Sequence, residues 1–198
     1  TAAKILQPHA EEGNAFAQEI LGLMYARGDG FPQNYEKAAK WYRMAAEQGN
    51  ADAQNNLGLK YDNGLGVIQN YEESTKWFRL AADQGNPLAQ FNLGLSYYYG
   101  EGVSQDYGEA SKWLRIAART GIATAQYNLG LMYGNGEGVP QNSMNAYILF
   151  SLAAAQGNEN AQKGRELVAE QLTPDQLAEA QRLSSEWEGG EPLPLQGD

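Results

Sequence analysis

The chain has 198 residues, 42% of them hydrophobic and 11% aromatic, enough for one packed domain or one repeat array and too much for a largely disordered chain. Its net charge is −10, and after Asn158 nine acidic residues face three basic ones, which argues against nucleic-acid binding because phosphate contacts need clustered Lys and Arg. With no cysteine there is no disulfide, thiolate metal site or cysteine nucleophile, and no stretch approaches the ~18 apolar residues of a membrane span. No signal peptide is visible. Because the chain opens on Thr1 rather than Met, a leader or upstream segment is expected to have been removed.

Self-similarity at a fixed period organises the whole chain. Gly13, Gly49, Gly85, Gly121 and Gly157 stand 36 residues apart. Leu21, Leu57, Leu93 and Leu129 keep the same spacing, as do Tyr25, Tyr61, Tyr97 and Tyr133. The pairs Gly28/Gly30, Gly64/Gly66, Gly100/Gly102 and Gly136/Gly138 recur in frame, followed by Gln33, Gln69, Gln105 and Gln141. Trp41, Trp77 and Trp113 repeat as well, with Leu149 in the fourth place.

In chain order, residues 1–13 are expected to be an incomplete repeat contributing one helix, with Pro8 inside it. Four complete repeats follow at 14–49, 50–85, 86–121 and 122–157. The third shows the logic. Asn86 caps a first helix, Pro87 suits its first position, and Ala89, Leu93 and Tyr97 share one face. Gly100 and Gly102 break it. Asp106 caps a second helix, with Glu109 at capping-box spacing, and Asn70 and Glu73 repeat that arrangement. The second helix presents Ala110, Trp113, Leu114 and Ala117 to the core, and Gly121 ends it. Residues 158–188 are expected to form a half repeat and a capping helix opened by Thr173, Pro174 and Gln176. Residues 189–198 are expected to be a flexible tail.

The glycines of "NLGLMYGNGEGVPQN" invite a nucleotide-binding reading. A phosphate loop, however, occurs once, follows a strand and opens a helix. Here the glycine pair occurs four times, after stretches that read as helix, and no G-x-x-x-x-G-K-[ST] is present. These glycines are read as hinges between helices. Each hairpin has an apolar face too large to bury alone, so neighbours must stack.

The recurring pattern A-x-A-Q-x-N-L-G-x-x-Y-x-x-G-x-G-V-x-Q-[ND]-Y-x-x-A-x-x-W-x-x-x-A-A-x-x-G resembles the Sel1-like repeat family, a relative of the tetratricopeptide repeat. "ADAQNNLGLKYDNGLGVIQNYEESTKWFRLAADQG" follows it closely, with Ser74 where Ala is usual. The resemblance implies an all-α solenoid of helix-turn-helix repeats coiled as a right-handed superhelix. It also implies a non-catalytic adaptor or scaffold role, often in bacterial envelope or signalling complexes. Some cysteine-rich members are linked to β-lactam binding; their paired cysteines are missing here. The closing "LTPDQLAEAQRL" resembles the end of bacterial members that carry secretion signals, which points to a periplasmic or secreted protein.

No residue is expected to be catalytic or to hold a metal or cofactor. The single histidine, His9, has no second histidine or cysteine beside it in sequence. H-E-x-x-H, G-x-S-x-G and S-x-x-K are absent. A basic ladder on the second helices, Lys40, Arg43, Lys76, Arg79, Lys112 and Arg115, reads as ordinary pairing four residues along: Glu36 with Lys40, Glu72 with Lys76, Arg43 with Glu47, Arg79 with Asp83. The tryptophans read as core.

Positions that vary between repeats report a ligand more than packing does. By tetratricopeptide geometry the variable face of the first helices lines a concave groove. The candidate groove residues are Phe16, Glu19, Asp52, Asn55, Asn56, Asp62, Leu88, Phe91, Asn92, Tyr98, Tyr127 and Asn128. The second repeat is acidic and amide-rich there, while the third and fourth are aromatic. Asn56, Asn92 and Asn128 would offer amides to a ligand backbone. The expected partner is a protein or peptide, with a glycan or peptidoglycan fragment as the second reading and a β-lactam-binding or hydrolysing enzyme as the third.

Overall fold

The computed structural model describes residues 2–196, with side chains from Ile5 onward. Thr1, Gly197 and Asp198 lie outside the described residues. Among the described residues the chain is all-α: α1 (Ala2–Glu11), α2 (Ala15–Arg27), α3 (Tyr35–Glu47), α4 (Ala51–Asn63), α5 (Tyr71–Asp83), α6 (Pro87–Tyr99), α7 (Tyr107–Arg119), α8 (Ala123–Asn135), α9 (Ser143–Ala155), α10 (Glu159–Ala169) and α11 (Pro174–Glu186). The first helices of the four hairpins are α2, α4, α6 and α8, and the second are α3, α5, α7 and α9.

Caps set the helix boundaries. Asn14, Asn50 and Asn86 each accept a hydrogen bond from the third helical N–H, as do Asn34, Asn70, Asp106 and Asn142 at the second helices. Ile122 opens α8 without a side-chain cap. Each first helix ends on a left-handed glycine, Gly28, Gly64, Gly100 or Gly136. The next repeated residue closes the loop: Gln33, Gln69, Gln105 and Gln141 donate to the carbonyls of Ala26, Asp62, Tyr98 and Gly134 at 2.7–2.9 Å. These are last-turn carbonyls that have no partner inside the helix.

The chain forms two compact units. One comprises residues up to Ser96 together with Gly100–Ser104; the other comprises Tyr97–Tyr99 and residues from Gln105 onward. The core of the first is built from Ala17, Leu21, Ala38, Tyr42, Ala45, Ala53 and Leu57, with Trp41 and Trp77 packed against it. The core of the second includes Ala110, Leu114, Ala125, Leu129, Ile148, Leu149 and Phe150, all buried.

Small residues bring the paired helices together. A Cβ on Gly58 would stand 2.6 Å from the Phe78 ring, and one on Gly130 2.8 Å from the Phe150 ring. The repeats are locked to one another through the second glycine of each loop. At Gly66, φ is +80° and a Cβ would meet the Tyr35 carbonyl at 2.2 Å. Gly102 bears in the same way on Tyr71, and Gly138 on Tyr107.

A buried glutamine relay joins successive hairpins. Gln18, Gln54, Gln90 and Gln126 donate to the carbonyls of Ala10, Ala46, Ala82 and Ala118, eight residues earlier. Three of them also accept from a glutamine thirty residues on: Gln18 from Gln48, Gln54 from Gln84, Gln126 from Gln156. The Oε1 of Gln90 is buried without a partner among the described residues.

Several expectations change. Glu73 and Glu109 do not complete capping boxes, because the Asn70 and Asp106 N–H groups already donate to Tyr61 and Tyr97. Their carboxylates pair instead with Lys76 and Lys112, three residues on. Among the described residues a complete capping box joins Thr173 and Gln176. The ladder arginines also leave their own helix: Arg43 and Arg115 donate at 2.6 Å to the hydroxyls of Tyr61 and Tyr133. A guanidinium both satisfies the phenol and lies over its ring. Trp41, Trp77 and Trp113 are half-buried at the core margin, and the Trp77 Nε1–H is buried without a hydrogen-bond partner among the described residues.

The segment expected to be a flexible tail is hydrogen-bonded along the second unit. Gly190 donates to the Arg119 carbonyl and accepts from Arg119 Nε. The buried Asn145 amide clamps the Gln196 backbone, accepting from its N–H at 2.7 Å and donating to its carbonyl at 3.0 Å.

Two stability predictions follow from this packing. Gly66→Ala combines positive φ with a backbone collision and should cost about 3–4 kcal/mol, whereas Gly49→Ala, at φ +92° with nothing within 4 Å, should cost about 1–2 kcal/mol. Equal losses on urea unfolding would show that Gly66 is not a close-approach site. Trp77→Ala should cost about 2–3 kcal/mol, below the range for a fully buried aromatic; an unchanged Tm would refute its packing role.

Candidate functional site

The variable face of the first helices carries two kinds of residue. In the first unit, Phe16 and Leu88 are 65% and 55% exposed and occupy equivalent positions, with the exposed Asp52 at the equivalent place between them. One turn further along, the register 19, 55, 91 turns inward: Glu19 and Asn55 are buried and Phe91 is half-buried. Neighbouring elements among these are in contact, α2 with α4 and α4 with α6. Asn86 donates to Asp52 at 2.8 Å and Asn92 donates to Asn55 at 3.0 Å, tying α4 to α6. Burial, and then the Asp52 charge, push the Glu19 carboxyl above the usual carboxylate range. Burial does the same to Asp62, against which a Ser74 hydroxyl stands at 3.5 Å.

In the second unit the aromatic candidates are engaged by the protein itself. Tyr98 donates to Glu137 at 2.8 Å and packs against Tyr99 and Tyr107 at 5.1 Å. Burial and the Glu137 bond push its hydroxyl up to about 12. Tyr127 lies 5.8 Å from the Phe150 ring. Beyond it, Leu131, Gly134, Phe150, Leu167 and Val168 line a shallow, mostly apolar hollow of about 200 Å³.

The asparagine row divides. The Asn92 amide is taken by Asn55, and that of Asn128 by the Thr124 carbonyl of its own helix at 2.7 Å. That leaves Asn56, half-buried on α4, as the member of the row whose amide the fold does not use among the described residues. The structure thus brings Phe16, Glu19, Asp52, Asn55, Asn56, Asp62, Leu88, Phe91 and Asn92 onto one unit and Tyr98, Tyr127 and Asn128 onto the other.

A reading confined to the first helices misses Tyr42. It stands on α3 where the later repeats have Phe78, Leu114 and Phe150, and it is the one phenol in that register. Its ring lies beneath α2, against Gly22, and its titration feels the Glu19 charge. The departure from Phe was visible in the repeat alignment. No cluster of His, Cys, Asp and Glu fit to hold a metal occurs among the described residues, and no helix there is long and apolar enough to cross a membrane.

Comparison with known proteins agrees with this architecture. The Sel1 repeat model matches residues 15–50, 51–86, 87–121 and 123–158. The protective antigen c5321 of uropathogenic Escherichia coli, described as displaying an SLR fold, is similar at 37% identity and a TM-score of 0.86, over 92% of this chain and 39% of that one. A Sel1 repeat protein from Oxalobacter formigenes is similar at 38% identity and a TM-score of 0.75, over 84% of this chain and 49% of that one. The Pseudomonas aeruginosa protein PA5086, at 20% identity and a TM-score of 0.53, shares the fold. This chain therefore spans less than half the length of the first two. No curated protein sequence matches it. With four matched repeats covering most of its length, the chain belongs to the Sel1 repeat family, whose members usually serve as protein-interaction scaffolds.

Proposed function

We propose that this chain is a non-catalytic scaffold that binds a protein or peptide on the first-helix face of its first unit. The observation that carries this reading is the exposure of Phe16 and Leu88. These are large apolar side chains at helix positions that vary between repeats, in a register where Asp52 and Thr124 show that polar residues fit equally well. Nothing in the packing of the hairpins calls for them, whereas apolar anchors beside polar groups suit a protein interface. The polar neighbours Asp52, Asn55 and Asn56 supply acceptors and amides for a partner backbone.

Phe16 and Leu88 are the residues to change, since Tyr98 and Tyr127 also hold the second unit together. A Phe16→Ser, Leu88→Ser double variant should keep the parent's helical circular dichroism. Immobilised beside the parent in an extract of the source organism, it should fail to retain proteins that the parent retains. Equal retention by the two would exclude this face as the binding surface.

A further inference from the structure

The last half repeat breaks the frame where the other repeats are most alike. Arg165 on α10 stands in the register of Leu21, Leu57, Leu93 and Leu129, each no more than 1% exposed. The arginine is half-buried and makes no hydrogen bond or ion pair among the described residues. Two further positions change with it. Ser151 stands where Arg43 and Arg115 stand, and Ala169 stands where Tyr61 and Tyr133 receive those arginines at 2.6 Å. Exchanging an arginine and a tyrosine for a serine and an alanine removes the side chains that fill this space in the earlier hairpins.

The exchange leaves an open cleft of about 580 Å³, the size of a ligand site. Helices α10 and α11 each pack on α9, and all three line the cleft. From α9 come the buried Tyr147 and, one and two turns on, Ser151 and Ala155. Arg165, Glu166 and Ala169 come from α10, and Leu177 and Gln181 from α11. Gln181 donates to the Tyr147 hydroxyl at 3.4 Å, which leaves the hydroxyl hydrogen for another acceptor. The Ser151 hydroxyl has no partner among the described residues. Acidic residues outnumber basic ones in this part of the chain, and Arg182 is held by both Glu179 at 2.7 Å and Glu186 at 2.6 Å. None of these carboxylates pairs with Arg165.

We propose that this cleft binds the C-terminal residue of a partner polypeptide, its α-carboxylate on Arg165 and an apolar side chain against Ala155, Ala169 and Leu177. The site is separate from the first-helix face of the first unit and does not depend on it. A guanidinium without a partner, beside hydroxyls with hydrogens to give, calls for an oxyanion, and a carboxylate matches its planar fork. Glu166 lines the same wall. It repels an anion but accepts from an N–H, so it disfavours a phosphate, which brings more charge and no donor. A terminal residue carries a carboxylate, an N–H and a side chain on one Cα. It therefore uses Arg165, Glu166 and the apolar wall at once. An internal Asp or Glu has its carboxylate at the tip of its side chain and leaves the apolar wall unused.

The test titrates N-terminally fluorescein-labelled hexapeptide pools by fluorescence anisotropy. One pool has five randomised positions and ends in leucine as the free acid, a second is its C-terminal amide, and a third is an amidated pool with an internal glutamate. The parent should bind the free-acid pool about tenfold more tightly than either amidated pool. Sodium octanoate, an apolar acid without an N–H, should compete about tenfold less well than the unlabelled free-acid pool. Arg165→Leu, which restores the residue of the earlier repeats, should abolish the preference for the free acid. So should Ser151→Arg, Ala169→Tyr, which rebuilds the pair that fills this space. Both should keep parental circular dichroism. A folded Arg165→Leu protein that keeps the preference would overturn the proposal. So would a parent that binds either amidated pool as tightly as the free acid, or from which octanoate displaces the peptide as well as the free-acid pool does; these comparisons need no variant. The Phe16→Ser, Leu88→Ser protein should bind the free-acid pool as the parent does. If it loses the preference while Arg165→Leu keeps it, the carboxylate is read on the first unit, so this proposal falls and the first-unit reading stands. If no pool binds the parent, this proposal falls and the retention experiment still decides the first-unit reading.

Discussion

The contact on which the array depends is the approach of one loop glycine to the opening carbonyl of the preceding second helix. Gly66 meets Tyr35, Gly102 meets Tyr71 and Gly138 meets Tyr107, each at a distance that leaves no room for a Cβ. The same glycines have positive φ, so both the turn and the contact exclude a side chain. A loop that seats its backbone on the neighbouring repeat sets the spacing between hairpins. Every side-chain relay between repeats presupposes that spacing. The glycine pattern that looks like a phosphate cradle is thus a main-chain bearing surface.

Once the spacing is set, the polar residues of the repeat have defined tasks. The glutamine of each loop takes a free carbonyl at the end of the first helix. The helix glutamines link the end of one hairpin to the start of the next, and some are held in turn by the glutamine that ends their own hairpin. Tyr61 and Tyr133 receive arginines from the preceding second helix. A buried or half-buried polar atom without such a partner would cost more than the bond contributes, which explains why these residues recur in frame. Recurrence therefore reports internal satisfaction, and polar residues that break the frame are where a ligand should be sought.

Fold and helix boundaries were legible because period, caps and turn residues agree: Asn86, Pro87, Gly100 and Asp106 mark α6 and the start of α7 where the helices are found. Pairing partners were less legible. One-helix spacing put Arg43 with Glu47 because i,i+4 geometry is all that a linear reading contains; the guanidinium instead crosses to a phenol 18 residues away. The same limit applies to Asn92, whose partner Asn55 lies 37 residues back, and to the tail, whose anchor Asn145 lies 51 residues before Gln196. Helical period placed Trp77 toward the core but could not tell a core position from its margin. Phe16, Glu19 and Leu88 were found by variation alone, whereas Tyr42 lies on a second helix that a reading confined to the first helices passes over.

Glu19 and Tyr42 show how one repeat can depart from the common frame while the framework is kept. At the equivalent positions of the second repeat the same framework carries Asn55 and Phe78, a neutral amide with a partner and a ring with no hydroxyl. The fold therefore accommodates a satisfied pair at these sites, and the first repeat departs from it at both positions together. One departure alone would be a tolerated polar substitution at the margin of a core. Two together, on different helices of one hairpin, set the first repeat apart from the second on this face.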